Sequence, residues 1–339
     1  MSEIRCDKLH NQYVLIAPER LHRPNTICAQ KAPLEAFKRC PFCEGNESLT
    51  PKEVFALRDN EPNTVGWKTR VVPNLYKAVQ IELEQASWRE GMFETISGLG
   101  AHEILIDSPD HGGGFEKIGP EGVKNLLQSI IFRSEDLQKD RRLVYLSVFK
   151  NEGLNAGATQ SHPHTQILAL PMMPKKELMF LENKMAYYKR HGRGLFEDIV
   201  HNEILFEKRI IAQVGDFIAF CPFASAFPFE VMIAPLKNLS NLTQCNQTQL
   251  SNVATLIVKV FTMLSTQLGN FDYNLSFALP PLNSNYENAH LMASLDVNFR
   301  FSVRIMPRIY TLGGFELSTE MFINCVEPEV AAKLLRGEK

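Results

Sequence analysis

Apolar residues along the chain switch between two spacings, and the order of the switches repeats. A short apolar run at Arg70-Val-Val-Pro-Asn74 precedes a second at 101–106 (AHEILI), which has strand character. Around 120–140 the apolar residues recur at helical spacing. Strand character returns at 143–149 and at 164–170 (HTQILAL), the latter ending at Pro171. The second half repeats the series: Phe220-Cys-Pro-Phe223, then 228–233 (PFEVMI), a helical stretch at 247–268, a strand at 273–278, and 300–306 ending at Pro307. Strand, helix, strand, loop, strand therefore occurs twice. The pattern predicts an α+β fold of two related halves, 1–175 and 176–339, each a mainly antiparallel sheet with packed helices. Between the periodic stretches, the glycines from His111 to Gly114 predict a flexible loop, and 281–298 (PLNSNYENAHLMASLDVN) is polar enough to predict a long surface loop. Residues 328–335 (PEVAAKLL) predict a short helix.

Composition narrows the class. The 339 residues are 45% hydrophobic and 22% charged, which suits a globular chain with a substantial core. A formal net charge of −2 supplies no basic field for nucleic acid, so any bound anion must be held by local groups. The N-terminal residues lack the charged-then-apolar build of a signal peptide, and no apolar run reaches the roughly 18 residues of a membrane span. Seven scattered cysteines suit a reducing compartment, so the expected location is cytoplasmic.

Three stretches carry candidate chemistry. Cys40-Pro-Phe-Cys43 is either a knuckle whose thiolates share a tetrahedral zinc or a pair of buried or redox-active thiols. The irregular look of residues 33–39 argues against a thioredoxin-like frame, and a zinc would need two further ligands, with histidine the natural supply. Ser161-His-Pro-His-Thr-Gln166 begins a strand whose period of two places His162, His164 and Gln166 on one face, with Thr165, Ile167 and Ala169 on the other. Such a pair of histidines is either two metal ligands or one ligand beside one catalyst. The preceding loop of small and hydroxyl residues can turn backbone N–H groups toward an anion, and imidazole is a competent nucleophile toward phosphorus. Finally, Arg20 and Arg23 follow the apolar run that starts at Tyr13. They are either solvated charge or a phosphate clamp.

Taken together, YVLIAPERLHRP, CPFCEGNE, RVVPN, HEILIDSPDH, FKNEG, SHPHTQILALP and the later GGFE resemble the galactose-1-phosphate uridylyltransferase family, a branch of the histidine triad superfamily, over nearly the whole chain. The resemblance implies a nucleotidyltransferase. It implies four structural ligands, Cys40, Cys43, His111 and His162, for one zinc per chain. It makes His164 the nucleophile that becomes nucleotidylated and sets Gln166 beside the phosphoryl oxygens. Arg20, Arg23, Thr159 and Ser161 would hold phosphate; Asn74, Phe149 and Asn151 would line the nucleotide pocket. The implied partners are a nucleotide sugar and a sugar phosphate or inorganic phosphate, with a homodimer as the assembly and neither nucleic acid nor membrane involved. The second half departs from the family pattern: Phe277, Arg300 and Ser302 stand where a second metal's ligands are expected, and Phe315 follows Gly314 where sugar-phosphate contacts are expected. The remaining alternatives are a phosphorylase or hydrolase of nucleotide sugars or dinucleoside polyphosphates using the same histidine, and a zinc-bearing module that binds nucleotides without catalysis.

Overall fold

A computed structural model describes residues 1–22, 39–112 and 114–338. Strands β1 (Glu3–Asp7) and β2 (Gln12–Ile16) form a hairpin. Next come β3 (Phe55–Arg58), β4 (Trp67–Pro73), a small ribbon of β5 (Ser87–Glu90) and β6 (Phe93–Ile96), and β7 (Ala101–Ile106). Helix α1 (Phe115–Gln138), β8 (Tyr145–Glu152) and β9 (His164–Leu170) follow. Helices α2 (Lys175–His191) and α3 (Leu195–Phe206) lead into β10 (Ile210–Val214), β11 (Phe217–Phe220) and β12 (Val231–Pro235). The remainder is α4 (Gln247–Leu268), β13 (Tyr273–Ala278), single turns α5 (Ala289–Met292) and α6 (Leu295–Asn298), β14 (Ser302–Pro307), α7 (Gly314–Thr319), β15 (Phe322–Asn324) and α8 (Pro328–Leu335).

Ten strands form one sheet in the order β10-β11-β12-β14-β13-β8-β9-β7-β4-β3, and every neighbouring pair is antiparallel. The repeat seen in the sequence is the symmetry of this sheet. Outward from its middle the order is β8, β9, β7, β4, β3 on one side and β13, β14, β12, β11, β10 on the other. The halves meet where β8 pairs with β13, with Phe149 opposite Ser276 and Asn151 opposite Asn274.

One face of the sheet is apolar and lies under α1 and α4, joining residues such as Val148, Ile167, Leu275 and Ile305 in the main core. Helix α4 is defined by its ends: Asn246 and Gln249 form a reciprocal N-terminal capping box, and the chain leaves at Gly269. Within α1, Gly119 has φ 67°, so the regular helix starts at Pro120, a residue suited to a first turn. The other face carries the polar residues of interest and is partly covered by α2 and α3. The stretch 281–298 is not the long surface loop its polarity predicts. It contains α5 and α6, whose Leu291 and Leu295 are buried with Leu181 and Met185 of α2. A few apolar side chains with a partner surface outweigh many polar neighbours. The N-terminal hairpin and the last strand meet as well, with β15 parallel to β2, and Arg5 pairs with Glu329 at 3.0 Å. No helix among the described residues is long and apolar enough to cross a membrane.

Candidate active site and metal centre

At the N-terminal end of β9 the chain brings four of the expected residues together. The ligand atoms of Cys40, Cys43, His111 and His162 all lie within 4.8 Å of one another. His162 Nδ1 is 3.7 Å from Cys40 Sγ and 3.6 Å from Cys43 Sγ, and His111 Nδ1 is 3.3 Å from Cys43 Sγ. The outward nitrogens are tied: His162 Nε2 donates to the Ser108 carbonyl at 2.9 Å, and His111 Nε2 lies 3.1 Å from Ser161 Oγ. The carbonyl at Nε2 fixes the tautomer of His162 and turns its Nδ1 lone pair toward the sulfurs, the usual outer support of a metal-bound imidazole, while the Ser161 hydroxyl holds the His111 ring. Burial and the neighbouring Cys40 push the Cys43 thiol up to about 11, while burial pushes His162 down to about 4. Two sulfurs and two neutral imidazole nitrogens, largely shielded from water, suit one tetrahedrally bound metal ion with no open position. The knuckle is held in turn by Asn46, whose amide donates to the Cys40 carbonyl at 2.8 Å, and by Trp67, whose indole donates to Glu47 at 2.8 Å.

The strand begins at His164 rather than at the first histidine, so His162 sits in the turn before it and reaches the knuckle. His164 Nδ1 donates to the His162 carbonyl at 2.9 Å. That bond leaves Nε2 as the nitrogen with the free lone pair. Burial, and then the nearby Lys150 ammonium, lower the pKa of His164 and favour the neutral ring. Phe42, between the two cysteines, lies edge-on to both rings, with centroids 6.1 Å from His162 and 5.5 Å from His164. The metal-ligand loop thereby forms a wall of the histidine site.

Gln166 lies on the same face as His164, opposite Phe149 of β8 and Ile104 of β7. His102 is a residue that strand periodicity alone does not single out. Its Nδ1 accepts from the Ala78 N–H at 3.1 Å, so Nε2 carries the proton and donates to Gln166 Oε1 at 3.0 Å. Asn74 borders the same ring, its amide nitrogen 3.2 Å from Nε2. Asn151 is held by the second half: Asn274 donates to its Oδ1 at 2.8 Å and accepts from Arg308 at 2.8 Å. Beneath the site Lys150 bonds Asp107 at 2.9 Å and the His164 carbonyl at 3.4 Å, and Thr165 donates to the other Asp107 oxygen at 2.9 Å. Only the strand register shows that Asp107, Lys150 and Thr165 share the helix-covered face.

The loop after β8 depends on Gly153, whose φ is +86° and where a Cβ would fall 1.8 Å from the Asp272 carboxylate. That carboxylate accepts from the Asn155 N–H at 2.8 Å and pins the loop. Thr159 is exposed in the following segment, whereas Ser161 is engaged with His111. Arg20 sits exposed on the turn Pro18–His22, with its charge felt at Cys325. Arg23 and residues 33–38 lie outside the described residues.

Residues 1–174 match the family model described as galactose-1-phosphate uridyl transferase, N-terminal domain, and residues 180–338 match the corresponding C-terminal domain. An ADP-glucose phosphorylase from Arabidopsis thaliana is 31% identical over 98% of this chain and 92% of that protein. A galactose-1-phosphate uridylyltransferase from Thermotoga maritima is 26% identical over 99% of this chain and 98% of its own length. The crystal structure of an ADP-glucose phosphorylase from Arabidopsis thaliana with bound ADP-glucose superposes with a TM-score of 0.84 at 29% identity, covering 100% of both chains.

Proposed function

Because the chain belongs to the galactose-1-phosphate uridylyltransferase family, we propose that it moves a nucleoside monophosphate from a nucleotide sugar to a phosphate-bearing acceptor through a covalent adduct on His164. The observation that carries this reading is the bond from His164 Nδ1 to the His162 carbonyl, which presents Nε2 as the nucleophile. Nε2 attacks the donor's α-phosphorus, a P–N bond forms, and the P–O bond to the sugar phosphate breaks with its electron pair leaving on that oxygen. An acceptor phosphate oxygen then attacks the same phosphorus, and the P–N bond returns its pair to the imidazole. The carbonyl at Nδ1 stabilises the positive ring of the adduct. Gln166, its oxygen occupied by His102, offers its NH2 group to a non-bridging oxygen. Arg20, Arg23 and Thr159 supply phosphate contacts, while Asn74, Phe149 and Asn151 form the nucleotide pocket. Ser161 acts as a support for His111. Cys40, Cys43, His111 and His162 hold one zinc, which stabilises the fold around the site and takes no part in the transfer.

The acceptor admits a second reading. The likeness at 31% identity to a protein named ADP-glucose phosphorylase favours inorganic phosphate as acceptor, beside a sugar 1-phosphate. Intact-mass measurement after exposure to UDP-, ADP- and GDP-sugars without acceptor identifies the base from the added mass. Adding phosphate or a sugar 1-phosphate then shows which releases it. His164→Asn is expected to keep its metal and lose the adduct; a label on any other residue, or wild-type turnover by this variant, would refute the mechanism.

A further inference from the structure

The pseudo-symmetry of the sheet implies a second site, and the structure has a cavity there. Gln166 lies opposite Phe149 and Ile104, whereas Arg304 lies opposite Ser276 and Met232. Arg304 is thus the second-half counterpart of Gln166, Ser302 of His164, and Arg300 of His162. Even the outer partner is matched, since Glu230, two residues before Met232, accepts from Arg304 at 2.6 Å as Gln166 accepts from His102. Over these residues opens a cavity of about 400 Å³, which reaches the central strands at Ser147 and Ser276 and whose lining includes neither His164 nor Gln166.

Its chemistry has changed from nucleophile and ligands to cations and hydroxyls. Arg300 and Arg304 line it, Ser302 and Ser276 add hydroxyls, and Lys184 enters from α2. Lys184 is only 7% exposed, and among the described residues its ammonium has no hydrogen bond or ion pair, only the Phe299 ring at 4.1 Å. Burial pushes it down to about 8, with Glu177 pulling the other way, so it remains charged at neutral pH. A buried ammonium without an anionic partner is costly. The other charged groups at the wall are Lys176 and Glu177, with His10, whose Nδ1 is 2.6 Å from Asp7. Arg304 is paired with Glu230, and Arg300 donates to the Pro235 and Leu236 carbonyls with Glu197 3.7 Å away. Lys176 is paired with Glu320 at 3.2 Å. The lining side chains themselves are four cations, Lys176, Lys184, Arg300 and Arg304, against the single carboxylate of Glu177, and Phe180, Phe196 and Phe299 supply apolar walls.

We propose that this second-half cavity binds a small phosphate monoester, its phosphate placed among Lys184, Arg300, Arg304 and Ser302. The volume exceeds that of a bare phosphate and falls in the range of small-molecule sites. The site is separate from His164 and does not depend on the reaction assigned there.

Equilibrium dialysis of the full chain with radiolabelled inorganic phosphate and, separately, glucose 6-phosphate tests the assignment. Saturable binding by the wild type should weaken at least ~10-fold in Lys184→Met, the loss expected for about one charge-assisted contact. Lys184→Met keeps the apolar stem and removes an unpaired buried cation, so folding should be preserved. Ser302→Asp, on a different element, should repel the same ligands and gives an independent reading. Any phosphate held near His164 stays in both variants and appears as an unaltered class. A loss confined to glucose 6-phosphate, or shared with phosphate, supports the site and tells whether the ester's carbon skeleton contributes. No saturable binding in the wild type, or wild-type affinities in both variants, would overturn it.

Discussion

Lys150 and Asp107 form an ion pair in which each side chain is about 1% exposed, directly beneath the backbone of His164. Removing one member of such a pair strands a charge in a low-dielectric interior, so Lys150→Met should cost about 3–5 kcal/mol of stability, read from urea denaturation. A loss below ~1 kcal/mol would mean that water reaches Asp107. Gly153 is constrained in a different way. An alanine there must adopt a left-handed backbone and displace the Asp272 carboxylate, so Gly153→Ala should cost at least ~1–3 kcal/mol and slow nucleotidyl transfer by loosening the loop that Asn155 anchors. Thermal unfolding and single-turnover labelling measure the two effects. Wild-type values in both would show that the loop shifts without strain.

At the scale of elements, the knuckle around Cys40 and Cys43 has little secondary structure of its own. Among the described residues near it, a short helical turn, Glu47–Leu49, and a small apolar cluster with Phe42 and Trp67 add order. Most of its stability should therefore come from the metal, because a closed site couples binding to folding. Elemental analysis should find one zinc per chain. Cys43→Ser should lower the unfolding temperature and loosen the wall that Phe42 gives the histidine site, as strong chelation should in the wild type. Zero or two metals per chain would contradict this account. So would a Cys43→Ser protein that melts like the wild type.

At the scale of the molecule, the two halves share one sheet and one helix layer. A fragment of residues 1–174 would expose β8 as a long unpaired edge and leave the apolar side of α1 without α4. We expect this fragment to aggregate or remain poorly packed, and the whole chain to unfold in a single transition by circular dichroism. A soluble fragment with a cooperative melt would show instead that the seam is an interface between independently stable units.

The repeat, the antiparallel α+β class, helix α4 and the short helix at 328–335 were legible in the sequence because each rests on local periodicity and local capping, which are encoded over a few neighbouring residues. The convergence of Cys40, Cys43, His111 and His162 on one point was legible through motif likeness, since HPHTQ and CPFC are short motifs contiguous in the chain. Helices α5 and α6 were not, because Leu291 and Leu295 acquire their meaning only against α2. His102 and the Lys150–Asp107–Thr165 group were hidden for a related reason: strand register decides which side chains meet, and residues 43 to 64 positions apart have no local signature. The fusion of two half-sheets at β8 and β13, and the cavity that symmetry places over Ser302, were likewise decided by tertiary structure alone. The sequence states what each residue can do chemically; proximity across the sheet decides which of those chemistries are combined.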